Sequence, residues 1–280
     1  MDINTDFVGS AAAARIVQSR EFMLTFDDGP LPGATERVLN ALAALRTNSG
    51  RPIRAGFFLV GEAPEHFWRK RYYYSPYEIY PKGSIVKYPH LVRQIRQAGH
   101  LIGNHTMHHP WVRWPWLRNS AVIREELLQW EAVVQPIMGA VSPRLFRSSY
   151  SIYSAAVCDS ARWAGYRIVM GKAAGDTAPG ISGEQLKLTA LRVLKKWRHP
   201  YPCVLIFHEN SRATCNHIDA VVNYLQQQGF CLVDFDPARL PGNEAGGFEK
   251  DETTGRLSTI RREVRLSITE ELGVISRLRP

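Results

Sequence analysis

The feature that most restricts the fold is the run Phe22-Met23-Leu24-Thr25-Phe26-Asp27-Asp28-Gly29-Pro30. An apolar segment of strand length stops at two adjacent carboxylates and a Gly-Pro break. This describes a buried strand over 21–26 with both acids at its carboxyl end, where α/β sheets and α/β barrels keep their ligands. Like charges side by side are costly unless a cation lies between them. The run therefore requires a metal ion, an arginine or both from elsewhere in the chain.

The segments that follow alternate in character. Residues 34–45 set Val38, Leu39, Leu42 and Leu45 at helical spacing, and Ala55-Gly56-Phe57-Phe58-Leu59-Val60 is a continuous apolar run. Further helices are predicted over 89–98, 120–134 with Ser120 as N-cap, 153–165, 182–197 capped by Ser182, and 217–228. Further strands are predicted over 100–104, 144–146, 166–170, 203–207 and 230–235. Seven strand signals alternating with helices predict an α/β fold, a distorted (β/α) barrel of about seven strands. Three stretches fall outside the alternation. Residues 1–20 read as an N-terminal arm. Residues 62–88 read as an insertion rich in aromatic and basic residues, among them His66 to Tyr74, Tyr77 and Tyr80. Such an insertion suits a wall for sugar rings or anions, or a surface loop packed on its own aromatics. Residues 241–280 are rich in Gly, Glu, Asp, Thr and Arg and read as a flexible tail with a short amphipathic helix near 260–272. The catalytic domain is then expected over 21–240.

With 280 residues, 45% of them apolar, the chain suffices for one large domain with appendages. Its formal charge of +9 and pI near 9.5 favour anionic partners, although no recognised nucleic-acid motif is present and nucleic acid is not an expected partner. No apolar run of membrane-spanning length occurs. Met1 to Gln18 lack a basic start followed by an apolar core, so no secretory signal is read. Cytoplasmic residence is the default expectation, with export to the periplasm or cell exterior as the alternative. Oligomeric state is not legible. Cys158, Cys203, Cys215 and Cys231 form no CxxC pair, which argues against a thiolate zinc site. Cys203 and Cys231 stand in apolar strand runs as packing residues.

Chemistry gathers in His105-Thr106-Met107-His108-His109-Pro110, just past the third strand. His105 and His109 stand four apart, which on a helical turn directs both to one side. Two imidazoles and one carboxylate make a catalytic site with an open position for water. His108 lies on a different face of such a turn.

Together, Thr25-Phe26-Asp27-Asp28-Gly29-Pro30 and His105-Thr106-Met107-His108-His109-Pro110 resemble the first two motifs of the polysaccharide deacetylases, the NodB-homology domain of carbohydrate esterase family four. The resemblance covers roughly 21–236. It implies a distorted (β/α) barrel and metal-assisted hydrolysis of an N-acetyl, sometimes O-acetyl, group on a sugar. Carried onto this chain, it makes Asp28, His105 and His109 the ligands of a metal, usually Zn²⁺ with Co²⁺ as an alternative. Asp27 becomes the general base on the water that the ion activates. His208, after Cys203-Val204-Leu205-Ile206-Phe207, matches a Leu-x-x-His motif and takes the role of general acid, with Leu205 lining the pocket for the acetyl methyl. Arg147-Ser148-Ser149-Tyr150 stands where the family has an Arg-Pro-Pro-Tyr-like segment. Arg147 would steady Asp27, and the Tyr150 backbone N–H would face the oxyanion. Serines in place of both prolines leave that loop less pre-set in φ. Asp176-Thr177 stands where the family has Asp-Trp. Asp176 would pair with His208 and raise its pKa, and Trp111, Trp114, Trp116 or the aromatics of 67–80 would replace the missing Trp wall. The expected substrate is an acetylated amino-sugar glycan, with peptidoglycan ahead of a chitin-like polymer. The alternatives are a deacylase of a lipid-linked or small N-acetyl sugar, and a non-catalytic glycan-binding protein with a vestigial site.

Overall fold

Strand β1 (Glu21–Gly29) is the centre of the molecule, and its composition explains why. Every residue after Glu21 is buried, as expected of a strand covered on both faces. The computed structural model describes residues 18–62, 83–113 and 119–241. These fall within Met1–Gly242, the first of two units into which the chain divides; the second, Asn243–Pro280, lies outside the described residues. The expected insertion core (63–82), Trp114, Trp116 and the helix near 260–272 also lie outside them.

Eight strands form one sheet in the order β5-β4-β3-β2-β1-β7-β6, with β8 paired to β1 off this path. The others are β2 (Gly56–Leu59), β3 (Leu101–Asn104), β4 (Leu145–Phe146), β5 (Arg167–Ile168), β6 (Lys172–Ala173), β7 (Cys203–His208) and β8 (Cys231–Leu232). All pairings are parallel. Among the described residues the α-helices are α1 (Thr35–Ala44), α2 (Pro89–Gln97), α3 (Ser120–Met138), α4 (Ala155–Trp163), α5 (Gly183–Lys196) and α6 (Arg212–Gln227). This is the distorted (β/α) barrel. Its distortion lies between β5 and β6, which follow one another along the chain yet do not pair.

Strand alternation sorts the core into two layers. Phe22, Leu24 and Phe26 of β1 join Phe57, Leu205, Phe207 and the apolar stripes of α1, α5 and α6 between sheet and helices. Met23, Phe58, Leu145, Val169, Val204 and Phe235, none of them helical, pack on the other face of the sheet. A third cluster joins Ile123 and Leu127 of α3 to Val157 and Ala161 of α4.

Several boundaries differ from those expected. β1 runs on through Asp27 and Asp28 to Gly29 because a bulge, with a register shift against β2 between Asp27 and Gly29, carries the pairing past the acids. The run 166–170 contains only the two-residue β5, and β6 (Lys172–Ala173), which follows it, was not expected; two residues give no readable period. Helix α3 is capped by Asn119, whose side chain accepts from the Ala121 N–H at 2.8 Å, and not by Ser120. Ser182 does cap α5, in a capping box with Gln185. Helix α6 begins at Arg212 rather than 217, since Ser211 caps it by accepting from the Thr214 N–H. All four cysteines are free, Cys203 buried and Cys231 half-buried.

Candidate active site

The carboxyl ends of β1, β3, β4 and β7 bring the chemistry together. In a regular strand Asp27 and Asp28 would point to opposite faces. The bulge and a left-handed backbone at Asp28 (φ 70°), a conformation that aspartate tolerates better than most residues, turn both toward His105. The two acids nevertheless have different partners. Asp28 Oδ1 lies 3.4 Å from His105 Nε2 and 3.2 Å from His109 Nε2. Asp27 Oδ1 accepts from Arg147 Nη1 at 2.6 Å, while its Oδ2 stands 3.8 Å from His105 Nε2.

Asp28, His105 and His109 are buried, and one ligand atom from each lies within 4.8 Å of the others. Among the described residues this is the one group of three or more His, Cys, Asp or Glu side chains so converged. Two imidazole nitrogens and one carboxylate oxygen suit a divalent transition ion. His105 Nδ1 lies 2.9 Å from the Arg147 carbonyl, so Nδ1–H is the donor and Nε2 carries the lone pair toward the ion position. Burial pushes the Asp28 carboxyl up, but the imidazoles of His109 and His105 outweigh it and hold it well below the usual carboxylate range. Burial lowers the His109 pKa, with Asp28 opposing. An imidazole kept neutral beside an ionised carboxylate is the protonation state that a metal requires.

Arg147 is fully buried inside the barrel. Its Nε donates to the Val169 carbonyl at 3.1 Å, its Nη1 also donates to Thr25 Oγ1 at 2.9 Å, and its guanidinium stacks 4.0 Å from the centre of the Phe58 ring. Phe58 in turn fills the side-chain space of Gly103, where a Cβ would fall 2.5 Å from the ring. The segment after Arg147 is a single 3₁₀ turn, Ser149–Ser151, with Tyr150 left-handed at φ 55°. The fixed φ of the absent prolines is replaced by a side-chain tie: Ser149 Oγ lies 3.0 Å from Thr106 Oγ1 and links this loop to the histidine loop. The Tyr150 ring packs against His109 with centroids 4.4 Å apart, and Trp111 packs against Tyr150 at 4.7 Å.

At the end of β7, His208 pairs in register with Asp27 across the β1–β7 ladder. Asp176 Oδ1 is 2.9 Å from His208 Nδ1, and Oδ2 accepts from the His208 N–H and from Thr214 Oγ1, each at 2.6 Å. Partial burial lowers the His208 pKa, but the Asp176 carboxylate, with Asp28 and Asp27 behind it, outweighs this and pushes it up to about 10. Leu205 is placed otherwise than expected. It is an odd number of residues from His208, so it faces the helices and packs in the core between sheet and helices. Ile206, two residues before His208, occupies the His208 face of β7.

Three residues of the site were not anticipated. Asn210 Nδ2 donates to Asp28 Oδ2 at 3.2 Å and helps to orient that carboxylate. Glu126 holds His108. Glu209 is fully buried against Gly29, where a Cβ would fall 1.2 Å from its Oε2. Asn210 follows His208 closely enough to have been considered, and Glu126 is a carboxylate on an otherwise apolar helix stripe. Glu209 carried no distinguishing signal.

A parallel (β/α) barrel with a buried Asp-His-His set, an arginine-held carboxylate and an Asp-His pair at the carboxyl ends of its strands belongs to the α/β-barrel hydrolase type. The sequence profile described as polysaccharide deacetylase matches residues 15–169, more than half of the chain, and the chain belongs to that family. It is 25% identical over 219 residues to the peptidoglycan-N-acetylmuramic acid deacetylase of Bacillus subtilis, covering 78% of this chain and 71% of that one. To the chitooligosaccharide deacetylase of Rhizobium leguminosarum bv. trifolii it is 35% identical over 91 residues, 32% of this chain and 30% of the relative. The fold is similar to the chitin deacetylase of Colletotrichum lindemuthianum, with TM-score 0.61 and 20% identity, covering 84% of this chain and 96% of that structure.

Proposed function

We propose that the chain is a metal-dependent deacetylase that hydrolyses N-acetyl groups on an amino-sugar glycan, with Zn²⁺ as the ion and Co²⁺ as a competent substitute. The observation that carries this reading is the division of labour between adjacent acids. Asp28 faces two imidazoles, whereas Asp27 is tied to Arg147 through one oxygen and presents the other to the same position.

Asp28, His105 and His109 would hold the ion, which when bound supplies Lewis acidity toward water and an acyl oxygen. The chain's own groups do the rest. Asp27 Oδ2 accepts the proton of the attacking water, and Arg147 keeps that carboxylate oriented and off the ligand set. Addition to the acetyl carbon places negative charge on the acyl oxygen, to which the Tyr150 N–H would donate. Collapse breaks the C–N bond, and His208, held protonated by Asp176, gives its Nε2 proton to the leaving amine, so that acetate and a free amine result. The Tyr150–Trp111 pair, 4.7 Å apart at the mouth beside His109, supports a sugar-ring wall in place of the missing Trp after Asp176.

The substrate class follows from charge and kinship. A chain of net charge +9 suits an anionic wall polymer, which favours peptidoglycan over a chitin-like oligomer. The first test is acetate release from N-acetylglucosamine oligomers and from peptidoglycan, with metal content assayed alongside. Chelation abolishes release and Zn²⁺ restores it. Undiminished turnover by the metal-free protein would sink the reading. Stoichiometric metal without acetate release from any glycan would favour the vestigial, glycan-binding alternative.

A further inference from the structure

The histidine loop contains one imidazole that the ligand set does not use. We propose that Glu126 is a positioning residue for the metal ligands, acting through His108. The inference rests on the metal reading of Asp28, His105 and His109.

Helix α3 buries the stripe Ile123, Glu126, Leu127, Trp130 and Val134. Glu126 is thus a carboxylate at a core position, 3% exposed. Packing alone would favour an apolar residue there, because a buried carboxylate is costly unless its oxygens are engaged. His108 engages both. Glu126 Oε2 accepts the His108 N–H at 2.7 Å, and Oε1 lies 2.9 Å from His108 Nδ1. One side chain therefore fixes both the backbone and the ring of the residue next to the ligand His109.

The loop needs such ties. Between the two ligands the chain passes through Thr106 at φ 70° and reaches His109 at φ 52°, left-handed conformations that cost non-glycine residues free energy and persist only where the surroundings enforce them. Each intervening residue is anchored to a different element. Thr106 bonds Ser149 through its hydroxyl and accepts from the His109 N–H at 3.0 Å. Met107 is buried in the core, and its carbonyl accepts the Glu62 N–H at 2.7 Å. His108 is anchored by Glu126, through the only carboxylate among these ties. The His108 ring is engaged by Glu126 and is not among the converged ligand atoms, so the loop offers two imidazoles and not three.

The test compares wild type, Glu126→Gln and His108→Ala in the full chain. Glutamine keeps one acceptor but sets an amide N–H₂ against the other donor. Zinc affinity is measured by competition with a chromophoric chelator, the visible absorption bands of the Co²⁺-loaded protein report ligand geometry, and the melting temperature of the metal-free protein reports stability. Glu126→Gln weakens zinc binding about 10- to 100-fold, as removal of an outer partner of a metal ligand does, and alters the Co²⁺ bands. His108→Ala, which removes the ring bond only, weakens binding severalfold. A merely structural Glu126 lowers the melting temperature but leaves the affinity and spectrum of the folded protein unchanged, and that result overturns the proposal. Should Glu126→Gln not fold, wild-type affinity in His108→Ala overturns it equally. A wild-type protein that binds no divalent ion defeats the metal reading instead, which separates the two failures.

Discussion

At the residue scale, the proposed chemistry depends on two adjacent carboxylates having different partners, Asp28 the two imidazoles and Asp27 the Arg147 guanidinium. The bulge at Asp28 brings both acids to the same place, and Arg147 binds Asp27. Substitution should therefore separate them too. Asp27→Asn keeps the Arg147 side of the contact in part and leaves the ligand set whole, so the variant retains stoichiometric metal and loses about 10²- to 10⁴-fold in turnover, the usual contribution of a positioned general base. Asp28→Asn removes the charge between His105 and His109 and loses the metal itself. Metal content and single-substrate kinetics on the two variants check this, and an Asp27→Asn enzyme with wild-type turnover would remove the base assignment. The acids, the paired histidines and His208 were legible because each lies in a contiguous motif at a strand end. Asn210 and Glu126 gave only weak local signals, one a position two past His208 and the other a carboxylate on an apolar stripe, because their importance is created by contacts from the end of β7 to β1 and from α3 to the histidine loop. Leu205 shows the converse. Its strand was read correctly, but a residue three positions from His208 must face the other way, and the alternation of the strand contained that answer.

At the element scale, the support for Arg147 is a stack that crosses three strands. Gly103 of β3 leaves room for Phe58 of β2, and Phe58 carries the guanidinium of Arg147 just past β4. A methyl group at Gly103 would fall 2.5 Å from the Phe58 ring and 3.3 Å from Leu145 Cβ, both in a packed interior. Gly103→Ala is therefore expected to cost about 1–3 kcal/mol of stability by overpacking and to displace Arg147 from Asp27. Denaturant unfolding measures the first effect. A fall in kcat with metal content unchanged measures the second, and a variant as stable and active as wild type would show that the stack is not what places Arg147. The elements themselves were predictable where their period was long. Helix α5 and its Ser182 cap, and strands β2, β3 and β7, stand close to where the hydrophobic pattern put them. The failures were short or chemically ambiguous elements: β6, two exposed residues held only by the β7 ladder, and the start of α6, whose first turn, Arg212-Ala213-Thr214-Cys215, has no large apolar residue.

At the scale of the whole molecule, the barrel buries a titratable group that the proposed chemistry does not use, and this gives the fold a pH dependence of its own. Glu209 follows His208, and its backbone N–H donates to the Asp27 carbonyl while its side chain fills the space beside Gly29. Neither carboxyl oxygen has a hydrogen-bond partner at normal geometry, and the neighbouring Thr35 hydroxyl offsets its burial only in part. Burial, reinforced by Asp28 and Asp27, pushes its pKa up to about 8. The folded protein thus keeps a proton that the unfolded chain releases in the ordinary glutamate range. The stabilisation is complete below that range and is lost as pH rises from there through about 8. His208, also raised, acts in the same direction over a higher window, from the ordinary histidine range up to about 10. Glu209→Gln isolates the first contribution, since glutamine has nearly the same shape and cannot ionise. Wild type and variant should have similar stability at mildly acidic pH. By pH ~9 the variant should be more stable by on the order of a few kcal/mol, since a tenfold difference in proton affinity between folded and unfolded chain is worth about 1.4 kcal/mol. Melting temperatures measured across this range should diverge by several degrees, given about 2–4 °C per kcal/mol for a domain of this size. Curves that stay parallel from pH 5 to pH 9 would mean that Glu209 does not hold its proton on folding, and the alkaline loss of stability would then have to come from His208 alone.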